Sequence, residues 1–177
     1  ISSAVAALPT ILSGHSCVVI RDTMTYNESV TVEGFVNGGS TISIIGDPAM
    51  GQRPTVTGTI GGPAFAIRNS SVGVFNITLV PDFFSDYGIF VSSTYATISS
   101  VNVLGAGWNR TAAIALSSWT TVSYTSVTVT DAYGFLLAGS TMSTVSYSSA
   151  TNTSATNPAV YLSGASSNTF TVVTASN

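Results

Sequence analysis

The sequence predicts an all-β fold, a right-handed parallel β-helix of about seven coils, and three observations carry that expectation. Apolar pairs spaced i and i+2 return every 21 to 25 residues, at Val18/Ile20, Ile42/Ile44, Phe65/Ile67, Ile89/Val91, Ile114/Leu116, Phe135/Leu137 and Val160/Leu162. A second series follows inside each period, at Val30/Val32, Val56, Ile77/Leu79, Val101/Val103, Val127/Val129, Val145/Tyr147 and Phe170/Val172. Short alternating runs bounded by Gly, Ser, Asn and Asp are strand signals, and self-similarity at a fixed period marks a solenoid. Composition is the third observation. Only 6% of the residues are charged and none is lysine, while 28 Ser and 25 Thr supply the polarity, so hydroxyls and amides must wet the exterior.

The elements follow in chain order. Ile1, Val5, Leu8 and Leu12 recur at helical spacing after Ser2 and Ser3, and Pro9 interrupts them, which predicts a short cap helix over residues 1–12. A helix there would cover the open end of the stack, where backbone groups are otherwise unpaired. Coils then occupy 17–177, with successive strands about 4.8 Å apart, a rod roughly 30 to 35 Å long. The run Cys17-Val18-Val19-Ile20 suggests that Cys17 is a small core residue, a reading favoured over a catalytic thiol paired with His15. The last residues, 169–177, read as another strand with no polar cap, which marks the piece as one domain, 1–177, of a longer chain or as an end that pairs with another molecule.

Forty-five per cent apolar content provides a core and excludes disorder. A net charge of −3 with no basic stripe lacks the footprint of a nucleic-acid binder, and no apolar run is long enough to span a membrane. Five sequons, at Asn27, Asn69, Asn76, Asn109 and Asn152, exceed chance only modestly in so hydroxyl-rich a chain. Charge is uneven, since Arg110 and Asp131 alone are charged after residue 86.

The stretches Ala4-Val5-Ala6-Ala7-Leu8-Pro9, Val18-Val19-Ile20-Arg21-Asp22, Thr25-Tyr26-Asn27-Glu28-Ser29-Val30-Thr31-Val32 and Ile42-Ser43-Ile44-Ile45-Gly46-Asp47 resemble the N-terminal cap and first coils of the pectin-esterase and pectate-lyase-like β-helix superfamily. Tyr87 to Ser93, Ile98 to Val103 and Leu162 to Thr169 resemble the β-helix repeats of large bacterial surface proteins. The resemblance implies the fold and leaves function open, because one scaffold hosts lyases, esterases, hydrolases and non-catalytic adhesins. It also implies what an enzyme would need: several Asp holding calcium beside an Arg base in the lyases, clustered Asp in the hydrolases, an Asp pair beside an Arg in the esterases.

The one charge cluster that fits is Arg21, Asp22, Asp47 and Arg68, which follow the first strand of three successive coils and are expected along one ridge. Two Asp are thin provision for calcium, so calcium belongs only to the lyase alternative, and the favoured reading has these acids ending strands and pairing with the arginines. A second candidate is aromatic: Asp82, Phe83, Phe84, Asp86 and Tyr87 on one inter-coil loop, with Trp108 and Arg110 on the next, as a side patch for a sugar. Its alternative has Phe83, Phe84 and Trp108 folding back over the wall. The outward ladder Thr31, Thr55, Thr57, Asn76, Thr78, Ser100, Asn102, Thr128, Thr130, Ser146, Thr169 and Thr171 offers regular hydroxyls for ice or a crystalline polysaccharide, though Thr is favoured on any exposed strand.

The leading expectation is therefore a non-catalytic extracellular or cell-surface module, structural and adhesive, meeting a polysaccharide or surface glycan, neighbouring modules or its own copies, without a cofactor. The alternatives are a polysaccharide lyase or esterase acting on an acidic polysaccharide, and an ice-binding protein.

Overall fold

The computed structural model describes residues 1–82, 84–105, 111–153 and 156–177. The chain is a parallel β-solenoid with three flat faces. Face one stacks Ser16–Ile20, Ile42–Gly46, Val72–Phe75, Thr97–Ser99, Thr121–Ser123 and the first halves of Thr144–Asn152 and Thr169–Ser176. Face two stacks Thr25–Tyr26, Thr55–Val56, Thr78–Leu79, Asn102–Leu104, Ser126–Val129 and the second halves of the same two long strands. Face three stacks Val30–Val32, Phe65–Ile67, Tyr87–Val91, Ala112–Leu116, Tyr133–Ala138 and Val160–Ser163. Among the described residues this makes six complete turns and two strands of a seventh, against the seven expected.

Each turn works because alternate residues of a strand point inward. Val18, Ile44, Val74, Ile98, Val122 and Val145 form one buried column on face one. Leu79, Val103, Val127 and Ala150 form another on face two. Phe65, Ile89, Ile114 and Phe135 fill face three, each fully buried.

Coil length is where the sequence reading slips. Partner residues Ser16 and Ile42 are 26 apart, Ile42 and Val72 are 30 apart, and the later partners Gly73, Thr97, Thr121, Thr144 and Thr169 follow at 24, 24, 23 and 25. The second coil is long because Asp47 caps an extra 3-10 turn, Pro48–Met50, before the chain reaches face two. The series that began on face one at Val18 and Ile42 therefore continues on face three from Phe65 onward, so Ile42 and Phe65 lie on different faces. Three strands per coil with similar inward pairs made that slip invisible to periodicity alone.

From the third coil onward two corners are each turned by one left-handed residue per coil. Asn76, Ser100, Tyr124, Tyr147 and Val172 turn face one into face two, at φ between 46° and 56°. Ser71, Tyr95, Trp119, Met142 and Ser167 turn face three into face one, at φ between 55° and 60°. A left-handed residue reverses the pleat sharply and throws its side chain outward, at a cost of about 1–2 kcal/mol for a residue with a Cβ. The backbone N–H groups beside these corners are met from the adjacent coil. Thr120 N–H donates to Ser143 Oγ (3.0 Å), Ser143 N–H to Asn168 Oδ1 (2.8 Å) and Thr125 N–H to Ser148 Oγ (3.2 Å).

The cap helix is shorter than expected, Ser2–Ala6, and ends before Pro9. Val5 and Leu12 are buried, and Ile11 bridges to Val36. Cys17 is exposed, not a core residue, because Val18 and Ile20 hold the inward phase of their strand.

The exterior also differs from a uniform hydroxyl coat. On face three the outward column runs Thr31, Ala66, Phe90, Ala115, Leu136 and Tyr161, apolar after its first member.

Candidate functional site

The corners give face one its chemistry. In coils four to seven it is built from four six-residue segments, 95–100, 119–124, 142–147 and 167–172, each starting and ending on a left-handed residue. Between the corners two ranks of hydroxyls face outward in register: Thr97, Thr121, Thr144 and Thr169, then Ser99, Ser123, Ser146 and Thr171. Ser123 Oγ donates to Ser99 Oγ at 2.9 Å, so the second rank is linked along the axis.

Aromatic side chains line both edges. On one edge Tyr95 and Trp119 lie 5.9 Å apart at 35°, followed by Met142. On the other, Tyr124 and Tyr147 stack at 5.3 Å and 6°. These residues are half exposed or more, apart from Trp119 at 45%. The stacked pair walls a groove of about 480 Å³ that opens toward face two beside Ser126, Ser149 and Thr174. Below this region Phe75 replaces the hydroxyls. A Cβ on Gly73 would stand 2.3 Å from the Phe75 ring, so the ring lies back across the glycine and continues the face as an apolar floor.

Such a surface is rigid and low in charge. Its hydroxyls repeat at the strand spacing of about 4.8 Å, and about 16 Å of strand separates the two aromatic edges. Hydroxyl donors and acceptors beside aromatic rings are the groups that recognise sugars, and the backbone beneath them holds them without loop entropy.

The sequence-predicted residues lie elsewhere. Asp22 and Asp47 end strands on face one, but Arg68 ends a face-three strand and pairs with Glu33 at 3.1 Å, so the four residues share no ridge. Asp22 accepts from Met24 N–H (3.1 Å) and Tyr26 Oη (2.7 Å), and Asp47 accepts from Ala49 N–H (2.9 Å). The Tyr26 phenol is pushed up to about 12, first by its hydrogen bond to Asp22, then by burial and the nearby negative charge. Arg21 is exposed.

Of the loop patch, Phe83, Trp108 and Arg110 lie outside the described residues. Asp82 lines a cleft of about 1000 Å³ with Thr25, Asn27, Thr57, Thr59 and Ile60, where face two turns into face three in the first three coils. Phe84 and Asp86 are exposed, and Tyr87 packs on Phe90 (5.0 Å) as part of the apolar exterior of face three.

The single ladder divides among three faces. Thr31 is on face three, Ser146, Thr169 and Thr171 are on face one, and a continuous outward column, Thr25, Thr55, Thr78, Asn102, Ser126, Ser149 and Thr174, runs up face two. Three sequons are structural. The amide nitrogens of Asn69, Asn76 and Asn152 donate to Phe35 O, Gly46 O and Ala132 O at 2.6, 2.9 and 2.7 Å.

Sequence reasoning missed Tyr95 and Tyr124, left Trp119 aside, and counted Tyr147 in an inward series, whereas its left-handed corner turns it outward. Their signal was a bulky residue beside a Thr-x-Ser triplet at the coil period, on both sides in 119–124 and 142–147 and on one side in 95–100. No protein-family model, curated protein or solved structure matches the chain.

Proposed function

We propose that this chain is a non-catalytic module of an extracellular or cell-surface protein, and that face one of coils four to seven binds a linear polysaccharide lying along the solenoid axis. One observation carries the reading: two in-register hydroxyl ranks repeat at the coil spacing over four coils, between an edge that carries Tyr95 and Trp119 and an edge that carries Tyr124 and Tyr147. The hydroxyl pairs recur at the strand spacing of about 4.8 Å, so an extended sugar chain lying along the axis meets the same donors and acceptors from coil to coil. The separate structural roles of Asp22, Asp47 and Arg68 favour binding over turnover.

Affinity electrophoresis against soluble glucans, xylans, mannans and pectins tests it, with product release assayed in the same mixtures. At least one polymer should retard the protein, and Trp119→Ala with Tyr147→Ala should weaken retardation about tenfold or more with the circular dichroism unchanged. Retardation unaffected by both substitutions, or turnover of the polymer, would reject the reading.

A second reading rests on face two, where seven small polar residues stand in one column from Thr25 to Thr174. Such a column would suit ice. Thermal hysteresis that Ser126→Tyr, in the middle of the column, abolishes would establish it.

A further inference from the structure

We propose that Arg53 anchors an oxyanion site at the corner between faces one and two, one that takes a carboxylate or sulfate group. Its Nη1 is fully buried and has no acceptor in the structure. Its Nε–H donates to Asn76 Oδ1 at 3.0 Å, and Asn76 Nδ2 in turn donates to Gly46 O at 2.9 Å, so the guanidinium is held in orientation from beneath. Arg53 lines a cavity of about 260 Å³ with Pro48, Gly51, Gln52 and Asn76.

The chemistry follows from those contacts. A guanidinium with Nε engaged keeps both Nη groups for an incoming oxyanion, and its planar fork matches two oxygens at once. Among the described residues neither ion pair involves Arg53, since they use Arg68 and the amino terminus, and Asp47, the nearest acid in sequence, accepts from Ala49 N–H. The cavity is smaller than the usual range for whole ligands, about 300–1,000 Å³, and fits one charged group. One of its lining residues, Asn76, begins the corner column that leads through Ser100 to Tyr124 and Tyr147 on the proposed glycan edge. That extension, a charged group on a bound chain, rests on the proposed function, whereas the anion site itself does not.

The chain has four arginines, so their Nε–Hε resonances can be followed individually by nitrogen-proton NMR. Sodium sulfate is titrated against sodium chloride at matched ionic strength. A saturable shift is expected at the Arg53 Nε–Hε and at the backbone N–H groups of Gly51 and Gln52 that line the same cavity, with the other three arginines still; the backbone shifts, which every variant retains as reporters, are lost in Arg53→Gln and weakened several-fold in both Arg53→Lys and Asn76→Ala. Arg53→Lys keeps the charge and removes the fork, so it reads the site even if Arg53→Gln folds poorly. A non-saturating drift shared by all four arginines, or an equal response to chloride, would overturn the proposal. A carboxylated oligosaccharide and its carboxyl-reduced counterpart then test the extension: sulfate binding without a preference between them keeps the anion site and removes its link to the glycan edge.

Discussion

Tyr26 is the residue whose protonation is most tightly tied to the fold. Its hydroxyl donates to Asp22 at 2.7 Å, and losing that proton would set two anions together. The folded state therefore favours the neutral phenol. Its contribution to stability is complete below the ordinary tyrosine value of 10.0 and is lost as pH rises through about 12. Ultraviolet titration should show one of the seven tyrosines ionising late, and Asp22→Asn should return it to the ordinary range. Tyr26→Phe should flatten the alkaline limb of the urea midpoint; an unchanged limb would remove Tyr26 as its cause. The same residue shows what was legible in sequence. Asp22 was readable as a strand-ending acid, but its partner Tyr26 was not, because the turn that brings the two together is local geometry without a pattern of its own.

At the level of elements, the corners decide both stability and presentation. Val172 is 69% exposed and sits at φ 52°, where a β-branched residue is most strained. Val172→Gly should raise stability by up to about 1 kcal/mol, the released strain exceeding the gain in unfolded-chain entropy. The internal hydroxyls work in the opposite sense. Ser143 Oγ accepts from Thr120 N–H in the interior and donates to Ser117 O at 2.9 Å, where the site is partly buried. Ser143→Ala strands these groups and should cost about 1–3 kcal/mol in chemical denaturation. Many strands were legible, since Ile44, Phe65, Ile89 and Ile114 sit on the inward phase that alternation assigns them, but the face-one strands around Ile98 and Val122 were not, because two apolar series per coil already accounted for the period. Corners were not, because Tyr124, Tyr147 and Val172 are residue types that do not ordinarily signal a left-handed turn.

For the whole molecule, stability resides in coil-to-coil contact rather than in charge. Gly134 shows how closely coils approach: a Cβ there would stand 2.4 Å from the backbone oxygen of Ala159 in the next coil. With two ion pairs among the described residues, one of them exposed, salt has little to screen. The melting temperature should move by no more than a few degrees between about 0.05 M and about 1 M sodium chloride. A steep fall would show that unseen electrostatics hold the stack.

The amino-acid sequence by itself determined the parallel solenoid and its hydroxyl-rich, charge-poor character, because inward alternation and repetition are properties of the chain read in one dimension. Tertiary structure alone decided which strand stacks on which. The extra turn at Pro48–Met50 lengthened the second coil, so that the apolar series continues on face three and Arg68 falls away from Asp22 and Asp47, while the left-handed corners set Tyr95, Trp119, Tyr124 and Tyr147 on the borders of one face. The physical reason is that register between coils is fixed by three-dimensional packing, and an insertion of a few residues changes it without altering the local pattern on either side.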